Sequence, residues 1–315
     1  MTNNKKINFT WSTQSVVLLV IMAMWIFLSI FTEEFLTITN IQNVLKQVTI
    51  QGINAVGATL VIITAGIDLS VGSVVAVVNV LFAMLLVGGT PIWFGVLMVL
   101  ALAAGLGFVN GFFVHQFRVP PFIATLAMMS IARGAALLIS GGRNVFGLPR
   151  SIAEFSSGTF LGIPNLFWFL IAVIAFMEFL LRKTTFGRYV YAVGSNPEAA
   201  RLSGINIRWV IIGVYLIAGL LWGLSGILET SRLWMGVPNT GTGYELDAIA
   251  AAVLGGASLM GAQGSAIGAF LGALVMTTIY NGSVLLNIDP FWQRIIVGII
   301  LVTTVSIDQI RSKRS

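Results

Sequence analysis

The 315-residue chain has no cysteine, a single histidine and few charged side chains, which make up 9% of its residues. Without cysteine there can be no disulfide, no thiolate nucleophile and no cysteine-ligated metal site. One histidine, His115, cannot by itself complete a metal site or a catalytic nucleophile–base pair. Soluble domains carry about a quarter of their residues as charged side chains. The composition therefore excludes an ordinary soluble enzyme, and the sequence predicts no metal site.

What the chain has in abundance is apolar residues, which form 57% of the sequence and give a mean hydropathy of +0.96. A helix crosses the hydrocarbon core of a bilayer with about 20 apolar residues. The sequence therefore predicts an all-α integral membrane protein with about ten transmembrane helices, in a single membrane domain over residues 1–315. The predicted spans are 14–31, 48–65, 71–88, 92–114, 121–140, 164–181, 209–231, 245–259, 264–286 and 291–307. The span 245–259 has a short apolar core, so a full span, a half-helix and a re-entrant segment all remain open.

The basic residues predict how the chain is oriented, because Lys and Arg concentrate in cytoplasmic loops. With ten crossings and the N-terminus inside, the basic residues of the cytoplasmic side are Lys5, Lys6, Arg118, Arg182, Lys183, Arg188, Arg201, Arg208, Arg311, Lys313 and Arg314. Those of the opposite side, including helix ends, are Lys46, Arg143, Arg150, Arg232 and Arg294. Both termini are therefore predicted to be cytoplasmic. The formal charge of +6 reflects orientation in a lipid membrane, and no nucleic-acid partner is predicted.

The connections between the predicted spans are short. The largest on the cytoplasmic side is about 182–208, and the largest on the external side is about 141–163. Neither has room for a catalytic or nucleotide-binding domain, because domains start at about 50 residues. The chain is therefore predicted to have no soluble catalytic domain of its own. Energy for transport would come from an ion gradient or from another subunit.

A carboxylate, Asp68, lies between the second and third predicted spans. A charge at this depth is costly unless it is hydrated or hydrogen-bonded. Asp68, Ser70 and Ser73 can each accept a backbone N–H group at the start of a helix. Three interpretations remain open: a cap that joins two helices tightly at the cytoplasmic face, a contact with the solute or a gating bond, and a proton relay.

The cytoplasmic loop 182–208 carries the signals of a short helix. Asn196 suits the N-cap position, Pro197 the first helical position, and Glu198 complements the helix dipole. Gly204 then ends the helix. A helix of about two turns is not stable alone in water and must dock against something. It either rests on the chain's own membrane domain or couples the chain to a partner subunit.

Three segments together carry a resemblance to a known family. They are GIDLSVGS at Gly66–Ser73, FGRYVYAVGSNPEAARLSGI at Phe186–Ile205 and GTGYELDAIAAAVLGGASLMG at Gly241–Gly261. In order and spacing they resemble the permease subunit of bacterial monosaccharide ABC importers, the type that carries ribose, xylose, arabinose or galactofuranose. The similarity is nearest to the ribose branch and covers about residues 30–305. The Leu-Pro that often closes the coupling-loop pattern of other importers is absent here.

The resemblance implies a multi-pass subunit of the cytoplasmic (inner) membrane that passes ribose or a similar simple sugar into the cell. The implied partners are a cytoplasmic ABC ATPase, a periplasmic or lipoprotein sugar-binding protein, and a second permease copy in a homodimer or heterodimer. ATP and Mg²⁺ would be bound by the ATPase, so no cofactor is expected on this chain. The implied ATPase-coupling loop consists of Gly194, Ser195, Asn196, Pro197, Glu198, Ala199, Ala200, Arg201, Leu202, Ser203 and Gly204.

Two other classes of protein are alternatives to an ABC importer subunit. The first alternative, an ion-coupled secondary transporter, predicts carboxylates at mid-depth, whereas the acidic residues here cluster at the ends of the predicted spans. The second alternative is a membrane-embedded enzyme, for which Asp68 and His115 do not supply a catalytic set.

Polar residues within the spans are candidates for contact with the solute. Amides and hydroxyls suit a sugar, although hydrogen bonds between helices explain them equally well. The candidate pathway or gate residues are Asn54, Asp68, Ser70, Asn79, Asn110 and Asn281. At the outer end of the seventh and eighth spans, the candidates for receptor docking are Glu229, Arg232, Trp234, Glu245 and Asp247, where an interfacial belt is the alternative. Arg133, inside the fifth span, is predicted to contact a carbonyl, a carboxylate or a water-filled gap.

Overall fold

The computed structural model describes residues 13–312 and is almost entirely helical. Its helices are α1 Thr13–Phe31, α2 Ile38–Ile63, α3 Val71–Val87, α4 Ile92–Gln116, α5 Pro121–Ser140, α6 Arg150–Ser157, α7 Asn165–Lys183, α8 Thr185–Ser195, α9 Pro197–Leu202, α10 Ile207–Leu233, α11 Tyr244–Leu254, α12 Ala266–Leu285 and α13 Pro290–Ser312. Two short strands, β1 Thr159–Phe160 and β2 Ile163–Pro164, pair antiparallel before α7. Lys5, Lys6, Lys313 and Arg314, on which the predicted orientation partly rests, lie outside the described residues.

Six of the helices in the described residues are long and apolar enough to cross a membrane: α1, α4, α5, α7, α10 and α12. They differ in burial, since 67% of the apolar window of α10 is buried and only 17% of that of α1. The outward faces carry large apolar side chains such as Leu138, which is 82% exposed, and Ile30, which is 71% exposed. Apolar faces of this kind are stable only against lipid, so the chain is an all-α membrane protein.

The centre of the fold is made by α2, α3, α10, α11 and α12, which pack against one another. Valines of α3 and the inner half of α2 are buried on all sides, together with Trp222 and Tyr215 of α10. The peripheral helices α1, α4, α5 and α7 surround this centre. Polar groups on the central helices therefore face other parts of the protein rather than lipid.

The second helix is longer than the sequence predicts. The predicted span began at residue 48, but α2 begins at Ile38, where the Thr37 side chain accepts a hydrogen bond from Asn40 N at 3.3 Å. The hydropathy pattern does not predict the first turns of α2, because carboxamide side chains in these turns lower the hydropathy. Lys46, assigned above to the opposite side, helix ends included, lies about two turns after the start of this helix, and its side of the membrane stays a prediction.

The eighth predicted span is a half-helix, α11, preceded by a non-helical segment, residues 234–243, that turns back from the end of α10 and is named the re-entrant segment. The helix α11 has 11 residues, about 16 Å of rise, and a hydrocarbon core is about 30 Å thick. It ends at Leu254, short of the predicted residue 259, because Gly255 and Gly256, with φ +94° at Gly256, break the helix.

The re-entrant segment runs back between α3 and α5. Gly236 exchanges two backbone hydrogen bonds with Val145, at 2.8 and 2.9 Å. The guanidinium Nη1 of Arg133, in the middle of α5, donates to the carbonyl oxygens of Pro238 and Thr240, both at 2.7 Å. The predicted carbonyl contact of Arg133 is confirmed. The contact of Arg133 with the re-entrant segment places the start of α11 beside the middle of α5 rather than beside the end of α5.

Small residues allow α11 to pack closely on α12. A Cβ atom on Gly272 of α12 would overlap the carbonyl oxygen of Ala251 in α11, and one on Gly268 would overlap that of Gly255. Gly241, with φ +70°, lies against the backbone of Gly72 at the start of α3. Backbones approach this closely only where the side chain is absent.

The loop 182–208, predicted above to be cytoplasmic, forms two helices, α8 and α9, where the sequence predicted one. The prediction for α9 is confirmed: the Asn196 side chain accepts a hydrogen bond from Ala199 N at 3.0 Å, Pro197 is the first helical residue, and Gly204 follows the end with φ +83°. The Thr184 side chain caps α8 by accepting from Gly187 N at 3.1 Å.

Candidate functional site

A row of carboxamides lies on one face of α2. Asn40, Asn43, Gln47, Gln51 and Asn54 follow one another at intervals of three or four residues, which places them on the same side of a helix. Asn54, at the inner end of the row, is fully buried, and its amide atoms have no hydrogen-bond partner among residues 13–312. A strip of hydrogen-bonding groups thus leads along α2 toward the centre of the fold.

The row opens into a cavity of about 400 Å³ between α2 and α12, closed by the end of α10, the start of α11 and α13. This volume is in the range of small-molecule sites. Six of the lining side chains are carboxamides: Asn40, Asn43, Gln47, Gln51, Asn281 and Gln293. Three more carry hydroxyls: Tyr244, Thr277 and Tyr280. The cavity therefore offers many uncharged donors and acceptors, which are the partners that a polyhydroxylated ligand needs.

A reciprocal pair of amides joins the two long walls of the cavity. Asn40 Nδ2 donates to Asn281 Oδ1 at 3.1 Å, and Asn281 Nδ2 donates to Asn40 Oδ1 at 2.7 Å. Asn40 Nδ2 also donates to the carbonyl oxygen of Phe35 at 2.9 Å. Both amides are largely buried, so these bonds fix their orientation and hold α2 against α12.

An ion pair lies at the end of α10. Arg232 lines the cavity, and its guanidinium donates from Nε to Oε2 of Glu229 and from Nη2 to Oε1, both at 2.8 Å. The Tyr244 hydroxyl donates to Glu229 Oε1 at 3.1 Å, and the Thr240 hydroxyl lies 3.5 Å from the same oxygen. Glu229 thereby joins α10, the re-entrant segment and α11.

A second carboxylate, Asp247 of α11, lies behind the cavity wall. Its Oδ1 accepts from the Tyr280 hydroxyl at 2.6 Å, and Oδ2 lies 3.5 Å from Gln51 Nε2. Tyr280 and Gln51 are both lining residues. The carboxylate therefore orients two of the polar groups that face the cavity while it is itself buried.

The five residues considered for receptor docking lie in different environments. Glu229 and Asp247 are 1% and 7% exposed, so within this chain neither offers an exposed carboxylate to an external protein. Glu245, at the start of α11, lies against Gly72. Trp234, which ends α10 with φ +52°, is exposed, and its Nε1 donates to the carbonyl oxygen of Pro149 at 3.3 Å. Receptor docking stays a prediction.

The candidate pathway residues do not form one site. Asn281 lines the cavity and Asn54 continues the amide row. Asn79 instead holds the re-entrant segment on α3, because its Nδ2 donates to Thr230 Oγ1 at 2.9 Å and its Oδ1 accepts from Val237 N at 2.5 Å. A role for Asn79 in the pathway stays a prediction.

The other three pathway candidates form a separate cluster at the turn between α2 and α3. Asp68 Oδ1 accepts from Ser70 N at 2.7 Å and from Ser70 Oγ at 2.6 Å, and Asn110 Nδ2 of α4 donates to Asp68 Oδ2 at 3.2 Å and to Ser70 Oγ at 3.1 Å. Thr125 of α5 accepts from Leu69 N at 3.1 Å. These bonds join the turn before α3 to α4 and α5. Asp68 accepts the backbone N–H group of Ser70, but the Ser70 side chain makes no cap bond to α3, so the three interpretations of Asp68 stay predictions.

Most of the residues that line the cavity were not predicted from the sequence. Asn43, Gln47 and Gln51 were overlooked, although their three- and four-residue spacing was visible, because the predicted second span started too late. The contributions of Tyr244, Tyr280 and Gln293 come from three different helices, and no local pattern links them.

The loop 182–208 rests on the rest of the protein with one side and exposes the other. Gly194 packs against the carbonyl oxygen of Ile63, the Tyr191 hydroxyl donates to Gly264 O at 2.7 Å, and Ala200 is buried. Leu202 and Trp209 are 75% and 67% exposed, beside an exposed pair in which Arg201 Nε donates to Glu198 Oε2 at 3.1 Å. Hydrogen bonding from Arg201 holds the pKa of Glu198 below its usual range, so this surface stays charged.

Three known proteins similar to this chain are named as permeases of import systems. The chain is 39% identical to the ribose import permease protein RbsC of Escherichia coli K12, over 95% of this chain and 94% of that protein. It is 40% identical to RbsC of Bacillus subtilis 168, over 91% and 90%. It is 37% identical to the autoinducer 2 import system permease protein LsrC of Salmonella typhi, over 94% and 85%. No solved structure matches the chain significantly.

The family comparison covers most of the chain. The family described as "Branched-chain amino acid transport system / permease component" matches residues 40–305, which contain the cavity, the cluster at Asp68 and the loop 182–208. The predicted resemblance to importer permeases is confirmed, and the ion-coupled alternative is not supported. This chain belongs to that family of membrane-spanning permease components of transport systems.

Proposed function

We propose that this chain is the transmembrane subunit of an ATP-driven importer that passes ribose or a closely similar simple sugar across the cytoplasmic membrane. The observation that carries the proposal is the cavity of about 400 Å³ lined by six carboxamides and three hydroxyl side chains. Amide donors and acceptors bind sugar hydroxyls without requiring a charge on the ligand. The names of the relatives, two ribose import permeases and an autoinducer 2 permease, support a small polar solute.

The proposed topology has ten crossings with both termini in the cytoplasm, in one membrane domain over residues 1–315. The re-entrant segment supports it, because residues 234–243 return from the end of α10 to the middle of α5 and α11 continues in the same direction. Segment and half-helix together thus make one crossing. The helices α12 and α13 then return the chain to the cytoplasmic side.

The energy for transport is proposed to come from a separate ATPase that binds ATP and Mg²⁺. Within residues 13–312 every loop is too short to hold a nucleotide-binding domain. The exposed face of α9 with Leu202 and the Glu198–Arg201 pair is the proposed contact for that ATPase. A second permease copy would complete the pathway, and an external sugar-binding protein would deliver the sugar.

The test is uptake of labelled D-ribose by proteoliposomes that contain the permease, its ATPase and its sugar-binding protein. Uptake should require ATP on the side of the membrane where the ATPase is bound. It should persist when ionophores collapse the proton and sodium gradients. Uptake that survives without ATP and stops with ionophores would contradict the proposal.

A matched pair of variants tests the cavity itself. Gln47 lines the cavity, whereas Gln42, on the same helix, does not. A net hydrogen bond contributes about 1 kcal/mol, so Gln47→Leu should lower ribose uptake by roughly fivefold and Gln42→Leu should leave it unchanged. Equal uptake by both variants would remove the cavity from the pathway.

A further inference from the structure

We infer that Glu229 determines substrate charge selectivity: by occupying the fork of Arg232, it keeps the sugar cavity neutral and excludes sugar acids. This inference rests on the proposed function, because it assumes that the sugar enters the cavity. Glu229 is a positioning residue in this proposal, since it acts on the solute through Arg232.

The first step is the charge of the lining. In the part of the chain that the structure describes, Arg232 is the only charged side chain that lines the cavity. A planar guanidinium matches a carboxylate or phosphate in two parallel hydrogen bonds, and an exposed one would capture a sugar acid in this way. A neutral sugar would gain far less from the same guanidinium.

The second step is the geometry of the pair. Glu229 lies three residues before Arg232 on α10 and accepts two hydrogen bonds of 2.8 Å from its Nε and Nη2. The Glu229 side chain is 1% exposed, whereas that of Arg232 is 29% exposed. The carboxylate therefore fills the fork from the protein side, and the guanidinium presents a compensated charge to the cavity.

The third step is the rigidity of Glu229. Its Oε1 also accepts from Tyr244, and the Thr240 hydroxyl lies 3.5 Å away. These contacts come from α11 and from the re-entrant segment, so the carboxylate cannot leave Arg232 without breaking contacts to two other elements. An incoming carboxylate would have to displace a fixed internal one, which is an unfavourable exchange.

The second acidic group nearby acts in the same sense. Asp247 is bound by Tyr280 and lies near Gln51, so these two lining residues separate it from the cavity. Its negative charge repels an anionic solute without offering the neutral sugar a charge to bind. The arrangement thus selects hydroxyl groups and rejects carboxylates.

The experiment is ligand-observed saturation-transfer NMR on the assembled permease–ATPase complex in nanodiscs, with D-ribose and D-ribonate as probes. The sugar-binding protein is left out, because it would select the solute before the permease does. Wild type should give a strong ribose signal and a weak ribonate signal. Glu229→Gln should raise the ribonate-to-ribose ratio by about tenfold, equivalent to about 1.4 kcal/mol.

Two further variants separate charge from folding. The double variant Glu229→Gln/Arg232→Gln is neutral again and should return to the wild-type ratio. Gln47→Lys adds a cation to the cavity without touching the buried pair, and its ribonate signal should exceed that of Gln47→Leu, which removes the same amide without adding a charge. If Glu229→Gln does not fold, equal ribonate signals from Gln47→Lys and Gln47→Leu overturn the inference.

The outcomes distinguish this inference from the proposed function. A ribonate-to-ribose ratio that stays at the wild-type value in Glu229→Gln, together with a ribonate signal of Gln47→Lys no higher than that of Gln47→Leu, overturns the charge-selectivity inference alone, provided that wild type gives a ribose signal. No ribose signal in wild type, or a ribose signal that Gln47→Leu leaves unchanged, overturns the cavity as the sugar site and the inference with it.

Discussion

Replacing Arg133 by methionine should loosen the re-entrant segment without changing the length or apolar character of α5. The guanidinium makes two hydrogen bonds of 2.7 Å, to the carbonyl oxygens of Pro238 and Thr240. Hydrogen bonds from a charged donor contribute about 1.5–3 kcal/mol each. Removing the half-buried cation also removes its desolvation cost, so we expect a net loss of about 2–4 kcal/mol.

The loss can be measured as a change in melting temperature of the detergent-solubilised protein, followed by tryptophan fluorescence. At about 2–4 °C per kcal/mol for larger domains, Arg133→Met should melt roughly 4–16 °C below wild type. Arg143→Met is the matched control, because Arg143 is exposed in the loop after α5. Arg133→Lys keeps a cation but only part of the bonding, and its melting temperature should lie between those of wild type and Arg133→Met.

A second readout uses the absence of native cysteine. A single cysteine at the exposed Asn239, within the re-entrant segment, can be labelled with a maleimide. Its labelling rate should rise in the Arg133→Met background and stay unchanged with Arg143→Met. Equal melting temperatures and equal labelling rates for these two backgrounds would refute the reasoning that Arg133 holds the segment in place.

Three further substitutions test other parts of the fold. Asp68→Asn removes the negative charge that Ser70 and Asn110 contact. It should lower the yield of folded protein in size-exclusion chromatography more than it alters sugar preference. A well-folded variant with a changed sugar preference would favour a role of Asp68 in the pathway. Glu198→Lys exchanges an exposed ion pair for two cations and should reduce sugar-stimulated ATP hydrolysis by the assembled importer, whereas normal hydrolysis would argue against coupling through α9. Gly272→Ala should lower the melting temperature because the added Cβ would overlap the backbone of α11. Gly105→Ala is the control and should not lower it, because Gly105 on α4 has open space around it. Equal melting temperatures would show that α11 and α12 can separate at no cost.

Much of the secondary structure could be predicted because its signals are local. Each predicted span coincides at least in part with a helix, since a run of apolar residues is enough to indicate a helix in lipid. The short helix α9 was predictable from Asn196, Pro197 and Gly204, which act within one or two turns. The start of α2 was not, because its amides lower the hydropathy that defines a span while its backbone stays helical.

The amino-acid sequence alone determined that this chain is a helical membrane protein, where most of its helices lie, and which permease family it resembles. Only the tertiary structure decided which polar residues share a cavity. Asn40 and Asn281 are 241 residues apart and hydrogen-bonded to each other, while Asn79 and Asp68 hold other elements together. The reason is physical, because apolar runs and helix caps act over a few residues, whereas a cavity is formed by helices that are distant in sequence and pack together. Close backbone contacts, such as that of Gly272 with Ala251, determine where these helices meet.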